Sequence, residues 1–345
     1  MIEIIQASDN NKNKWMEYVN SHPKAHFYHD YRWRKVIEES FGHKCFYLTA
    51  EENGKTLGAF PMVFINGRIM APALISIPFF NYGGILAESQ AIEAFLLDKA
   101  VGILKETRAA YIEIRSPKKL NLLLVTREHK VTMHIEILNN IDEQWGKLEA
   151  KLRNQVRKAE KSGLTVRHGK IELLDNFYRV FARNMRDLGT PVLGRIFFAN
   201  ILKYFSEESN IFIVEFQNKP IAGAFTLCHT DTLEIPWASS VKAFNKFCPN
   251  EFMYWELINY AISKGLKRFD FGRCTKESGT YRFKKQWGPE IKQLYWQYCV
   301  ARETDLPADD PQHSRSRPLI ALWKRLPLFI SNSLGPHIAK NIPIF

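Results

Sequence analysis

Apolar positions recur along this chain in two rhythms, and the switches between them mark its elements. Residues 15–20 and 31–40 show the three-and-four spacing of short helices, the second ending before Phe41-Gly42. Residues 45–51 and 57–65 are apolar runs of strand length. They are joined at Asn53-Gly54, a hairpin signal because both residues tolerate left-handed backbone. A turn at Asn66-Gly67 leads to a short strand at 68–71, and an aromatic, glycine-bearing connection follows at 76–86, SIPFFNYGGIL. A helix at 88–107 and a strand at 111–115 complete a first α/β domain, residues 1–138.

The second domain, 139–302, opens with a long helix at 141–162. Ile141, Trp145, Leu148, Leu152, Val156 and Ala159 make one apolar stripe along it. Asn140 suits its N-cap, and Gly163 suits a left-handed stop. The pattern then predicts a strand at 164–168, helices at 173–188 and 195–207, and strands at 211–216, 221–229 and 232–239. A helix at 251–264, a strand at 268–271 and a Trp/Tyr-rich strand at 291–300 close the domain.

The two domains read as copies. EENGKTLGAF (51–60) resembles FQNKPIAGAF (216–225), each a polar turn between two strands. Downstream, a helix leads to YIEIR (111–115) in one copy and RFDFG (268–272) in the other. In both strands one acid, Glu113 or Asp270, alternates with large hydrophobes, so it faces away from the core. Such an acid serves a cleft, or it is a solvated or salt-bridged strand residue.

Composition adds constraints. The 345 residues, 46% hydrophobic and 24% charged, suit two globular domains with real cores. A net charge of +12 draws polyanions such as tRNA, coenzyme A or an anionic membrane, without choosing among them. Five scattered cysteines without a CxxC pair, and histidines without metal-ligand spacing, leave no metal site to propose. No signal peptide and no apolar run of membrane-spanning length is seen, so the expected location is cytoplasmic.

The richest chemistry lies in DFGRCTKESGTYRFKKQWGPE, 270–290. A strand ends at Asp270, a polar loop follows, and a short segment presents Tyr281, Arg282, Lys284 and Lys285 around Phe283. Loops at strand ends hold ligands in α/β proteins, and cations there suit an acceptor carboxylate, a phosphate or an oxyanion. A solvated basic helix is the plain alternative. Asp-Phe-Gly without a glycine-rich loop or a His-Arg-Asp motif is no kinase signature. Arg153 and Arg157, at i and i+4, form a basic ridge opposite the apolar stripe.

Taken together, LRNQVRKAEKSGL (152–164), FCPNEFMYWELINYAISKG (247–265) and the DFG…GTYRFKKQWG stretch resemble the FemAB family of peptidyl and aminoacyl transferases. SIPFFNYGGIL is similar to a subgroup linked to exopolysaccharide and PEP-CTERM sorting clusters. The resemblance, over roughly residues 30–300, implies an α/β (α+β) fold of two tandem GNAT-like domains, with mixed sheets flanked by helices. It implies transfer of an acyl or aminoacyl group to an amine, with Lys284 binding acceptor or stabilising the tetrahedral intermediate. Tyr281 is the further choice for acceptor positioning, and Asp270 sits at a family-typical position.

GNAT enzymes usually grip the coenzyme A pyrophosphate with a glycine-containing loop at a helix N-terminus. The matching stretch here, VKAFNKFCPN (241–250), has no glycine. Lys242, Asn250, Arg153 and Arg157 are therefore the candidates for donor phosphates, with acyl-CoA and aminoacyl-tRNA both open as donors.

Residues 303–345 read as a linker followed by a basic amphipathic tail, with Leu319, Leu322, Trp323, Leu326 and Ile330 along one side. Such a tail suits either an anionic membrane surface or a groove on its own protein. The functional expectation is an acyltransferase acting on an amine or hydroxyl of a cell-envelope or exopolysaccharide precursor. The rivals are an acyl-CoA-dependent N- or O-acetyltransferase on a small molecule or sugar, and a non-catalytic module that binds RNA or glycan.

Overall fold

The computed structural model describes residues 1–67, 70–300, 302, 305–307 and 317–342. It forms two compact units. One contains Met1–Lys130, Gln293–Pro311 and Ile338–Phe345, and the other contains Val131–Lys292 and Gln312–His337. This division differs from the borders at 138 and 302. The first break falls inside a single strand, Val125–Glu136, where no turn or change of composition marks it.

The first unit carries β1 Glu3–Gln6, α1 Lys12–Ser21, α2 Arg32–Phe41, β2 Lys44–Glu52, β3 Lys55–Ile65, β4 Ala73–Ile75, β5 Leu86–Ala87, α3 Gln90–Thr107 and β6 Tyr111–Ser116. Its sheet runs β1-β2-β3-β4-β6, antiparallel except where β4 and β6 lie parallel and end at Ile75↔Glu113. The end of the strand Glu290–Val300 pairs antiparallel on β6. Helix α3, capped by Ser89 Oγ, covers one face with Ile92, Leu96, Ala100 and Ile103 against Leu48, Phe60, Leu74 and Ile112. Gly58 permits that approach, since a Cβ there would lie 2.7 Å from Ile92 and 2.9 Å from Leu96. Of the strand expected at 68–71, Arg68 and Ile69 lie outside the described residues, and the strand in this region is β4.

The second unit begins in β7 Val125–Glu136, a strand the pattern reading did not include. The helix expected at 141–162 is two helices, α4 Ile141–Gly146 and α5 Ala150–Lys161. Gly146 is a weak helix former and Glu149 is extended, yet Leu148, Leu152 and Val156 still point inward, so the stripe runs through the break. Asn140 caps α4 by accepting from the amides of Asp142 and Glu143, and Gly163 is left-handed after α5.

Then come β8 Leu164–Gly169, α6 Leu174–Leu188, α7 Arg195–Tyr204, β9 Ser209–Phe216, β10 Lys219–His229, β11 Thr232–Ser240, α8 Pro249–Ser263, β12 Arg268–Asp270, β13 Cys274–Thr275 and α9 Gly279–Lys285, while β14 Glu290–Val300 belongs from Gln293 onward to the first unit. The sheet order is β7-β12-β11-β10-β9-β8, with β11 and β12 parallel. Helices α5 and α8 cover one face through Leu152, Val156, Met253 and Leu257. On the other, Phe177 and Phe198 of α6 and α7 pack on Phe225 and Trp237.

The units repeat in element order. Both hairpin turns, Asn53-Gly54 and Gln217-Asn218, have two left-handed residues. The Gly-Ala-Phe letters do not repeat in orientation. Phe60 joins the core under α3, whereas Phe225 packs against α6 and Ala222 and Ala224 face α8.

In the tail, α10 Arg317–Arg325 and α11 Leu328–Ala339 fold onto the second unit, with Arg186 donating to the Leu326 carbonyl at 2.8 Å. Leu319, Leu322 and Phe329 are exposed, while Trp323, Leu326 and Ile330 are half-buried, so the expected single stripe divides between two sides. The linker expected before them lies mostly outside the described residues. No helix among the described residues is long and apolar enough to cross a membrane.

Candidate functional site

The second unit has a gap built into its sheet. Strands β11 and β12 pair over Thr232↔Arg268, Leu233↔Phe269 and Glu234↔Asp270, and then part. β11 turns away because it bulges: Leu227 and Phe225 of β10 face Glu234 and Trp237, so β11 holds one residue too many. β12 ends because Gly272 is left-handed at φ 69°. Openings beyond the carboxyl ends of parallel strands are where α/β folds place ligands.

Asp270 stands at this point, 1% exposed. Its Oδ1 accepts from Thr132 Oγ1 and from the Gly272 amide, both at 2.7 Å, and its Oδ2 lies 2.9 Å from His134 Nε2. Burial raises the carboxyl pKa, but His134, Thr132 and the Gly272 amide outweigh it and hold Asp270 below the usual carboxylate value. Ionised Asp270 can only accept, so His134 Nε2 carries the proton between them.

Lys284 enters from α9, whose N-cap is Ser278 Oγ accepting from the Tyr281 amide. The lysine is 4% exposed, and its Nζ donates to the carbonyls of Gly272 at 2.8 Å and Arg273 at 2.9 Å. Burial pushes its pKa down to about 8, against the opposing pull of Cys274 and Asp270. At neutral pH it is mainly a buried ammonium, the kind of group that stabilises charge developing on an oxygen. Asp270 and Lys284 are thus brought together through Gly272. Tyr281, half-buried against the core, holds the same helix one turn earlier. Arg282 and Lys285 are exposed.

The four candidates for donor phosphates sit on other elements of the unit, α5, the turn after β11 and the start of α8. Arg157 is exposed, its guanidinium 5.4 Å above the Trp145 ring, and Arg153 is half-buried. Lys242 is exposed on the 3-10 turn Lys242–Phe247. Asn250 is not a cap but lies in the first turn of α8, behind Cys248 at φ 57° and Pro249. That helix start is poorly suited to anions. Proline removes one amide, and Glu251 places a carboxyl in the first turn, its pKa raised by burial.

Three residues around the gap were not picked out from the pattern: Thr132, His134 and Glu234. The signal for the first two was present, because Val131, Met133, Ile135 and Ile137 are buried while Thr132, His134 and Glu136 alternate with them. No group of three or more potential metal ligands occurs among the described residues.

Residues 146–285 match the family described as the Acetyltransferase (GNAT) domain. The match places a GNAT acyltransferase domain within the second unit. The match takes in the bulged strand β11, Asp270 and Lys284, and it ends on the last residue of α9. No curated protein matches the sequence. Among solved structures, FemX aligns with a TM-score of 0.67 at 17% identity, covering 94% of this chain and 100% of that one. A tandem GNAT protein from the clavulanic acid biosynthesis pathway aligns with a TM-score of 0.58 at 9% identity, covering 90% and 100%. The C-terminal domain of a putative lysylphosphatidylglycerol synthetase from Agrobacterium fabrum gives 0.57 at 12%, covering 86% and 93%. At these identities the likeness is one of fold. It extends beyond the GNAT domain to nearly the whole chain, so the expected fold of two tandem GNAT-like domains holds.

Proposed function

We propose that this GNAT acyltransferase moves an acyl or aminoacyl group onto an amine of a cell-envelope or exopolysaccharide precursor, at the gap where β11 and β12 part. The observation that carries the reading is Lys284, an ammonium buried beside Asp270 where the parallel strands end. Its role is to steady the oxyanion of the tetrahedral intermediate, and Tyr281 positions the acceptor. Structures named FemX and lysylphosphatidylglycerol synthetase share the fold, which supports an aminoacyl donor.

The start of α8 favours the same donor. Pro249 removes an amide that a pyrophosphate there would use, and the Glu251 side chain occupies the same first turn, while Arg153, Arg157 and Lys242 offer charge to a polyanion lying across the surface. Charged tRNA is therefore the expected donor, ahead of an acyl-CoA ester. Thermal-shift titration decides, since a ligand at ~100 times its dissociation constant adds about 2.7 kcal/mol. A shift with charged tRNA alone is the expected result. A shift with acetyl-CoA alone establishes the acyl-CoA reading, and a shift with uncharged RNA or glycan but no acyl transfer establishes the binding module.

The exposed Leu319, Leu322 and Phe329, beside exposed Lys324 and Arg325, support contact with an anionic membrane and a place at the inner membrane face. Changing all three apolar residues to serine is expected to abolish cosedimentation with anionic liposomes. Unchanged cosedimentation would remove the membrane from the account.

A further inference from the structure

The second unit also holds a cavity of about 500 Å3, lined in part by His134, Gln144, Lys147, Arg268, Trp287 and Glu290. That volume is in the range of sites for small ligands. His134 connects it to the gap, because its ring reaches Asp270, Asp270 accepts from the Gly272 amide, and the Gly272 carbonyl accepts from Lys284.

Two residues of this lining, His134 and Trp287, carry a buried nitrogen, Nδ1 and Nε1 respectively, that makes no hydrogen bond among the described residues. An indole N–H can only donate. In the neutral ring, with Nε2 donating to ionised Asp270, His134 Nδ1 is the acceptor. Orphaned buried polar atoms are costly, and each calls for a partner such as a ligand or a water. One donor and one acceptor on the same cavity call for a group that both gives and takes a hydrogen bond, as a neutral primary amine or a hydroxyl does.

We propose that this cavity seats the acceptor's nucleophilic amine or hydroxyl, with His134 as the base that takes its proton and Asp270 as the positioning residue. The proposal rests on the transferase reading. The acceptor lone pair attacks the carbonyl carbon of the donor ester or thioester, forming the new N–C or O–C bond. The acceptor proton passes to His134 Nδ1 as negative charge collects on the carbonyl oxygen. Collapse breaks the bond to the donor's oxygen or sulfur, and that leaving atom takes the proton from His134.

The test uses the full chain, the donor found by thermal shift, and two nucleophiles, glucosamine and hydroxylamine. Hydroxylamine is already largely unprotonated at neutral pH and needs little help from a base. His134→Gln is expected to lower transfer to glucosamine ~100-fold while transfer to hydroxylamine stays within about threefold. Unchanged transfer to glucosamine, or equal loss with both nucleophiles, would overturn the base. Trp287→Phe keeps the ring and removes the N–H, so it is expected to raise KM for glucosamine with kcat kept, and an unchanged KM would overturn the cavity as acceptor site. If the wild type transfers to neither nucleophile, the transferase reading fails separately. The 15N resonance of His134 Nδ1 then decides the cavity: a shift on titration with glucosamine keeps the assignment, and no shift ends it.

Discussion

Glu113 and Asp270 hold the same place in the two units and do different things with it. Each is the last acid of a short strand and each closes a parallel pairing, Ile75↔Glu113 in one unit and Glu234↔Asp270 in the other. Glu113 is clamped by Arg115 at 2.6 Å, and that guanidinium is fully buried with the Trp296 ring 4.2 Å away. A planar guanidinium holds a carboxylate in a fixed geometry, so this pair is suited to holding position. Asp270 is instead met by a hydroxyl, an amide and an imidazole, with a lysine of lowered pKa bonded to the Gly272 carbonyl. The same strand position thus serves as a fixed strut in one copy and a titratable centre in the other.

Glu113→Gln should break the comparison hardest. It leaves Arg115 buried without its counter-charge, and the expected loss is about 3–5 kcal/mol of stability, read from urea denaturation. Transfer per folded molecule should not change, and a turnover defect in the folded variant would mean that the first unit takes part in the chemistry.

Lys284 sharpens the contrast through pH. Its folded pKa, about 8, lies below its ordinary 10.5, so between these values the unfolded chain binds the proton that the folded chain has lost. Stability should therefore rise with pH across that window, by up to about 1 kcal/mol per unit, and Lys284→Met should flatten the rise. A wild-type curve flat from pH 8 to 10.5 would contradict the buried-ammonium description.

The smallest effect belongs to Thr132→Val, which removes one hydrogen bond to Asp270 and should cost about 1 kcal/mol. Because the bond also helps hold Asp270 ionised, the variant should lose stability at a higher pH than the wild type as acid is added. A lowered carboxyl pKa contributes stability above its unfolded value and loses it as pH falls through the folded one.

Much of this was legible in the chain. The hairpin turns, the cap at Asn140, the crossover helices α3 and α8 and the acids at strand ends follow from local chemistry, which residue types carry directly. What escaped depends on pairing across distance. The bulge in β11 exists only against β10, and its one local signal, Pro236 with no N–H for the ladder, does not say by itself whether a bulge or an edge is meant. The break between α4 and α5 is hidden because Leu148 keeps the stripe in phase. β7 was overlooked because its first half is polar, although Val131, Met133, Ile135 and Ile137 alternate through the rest. With it went His134, whose meaning appears only when β7 sets it beside Asp270. The letters Gly-Ala-Phe pointed to duplication correctly through their surroundings, although the residues themselves face different ways.

The central claim is that Lys284 stabilises the transition state of acyl transfer in the second unit. The most direct test is steady-state transfer to a primary amine by the wild type and by Lys284→Ala, both shown to be folded by circular dichroism. The account predicts a loss of ~100-fold or more in turnover, the scale of removing one donor to a developing oxyanion. Near-normal turnover in the folded variant would contradict it and move the reacting centre away from this gap.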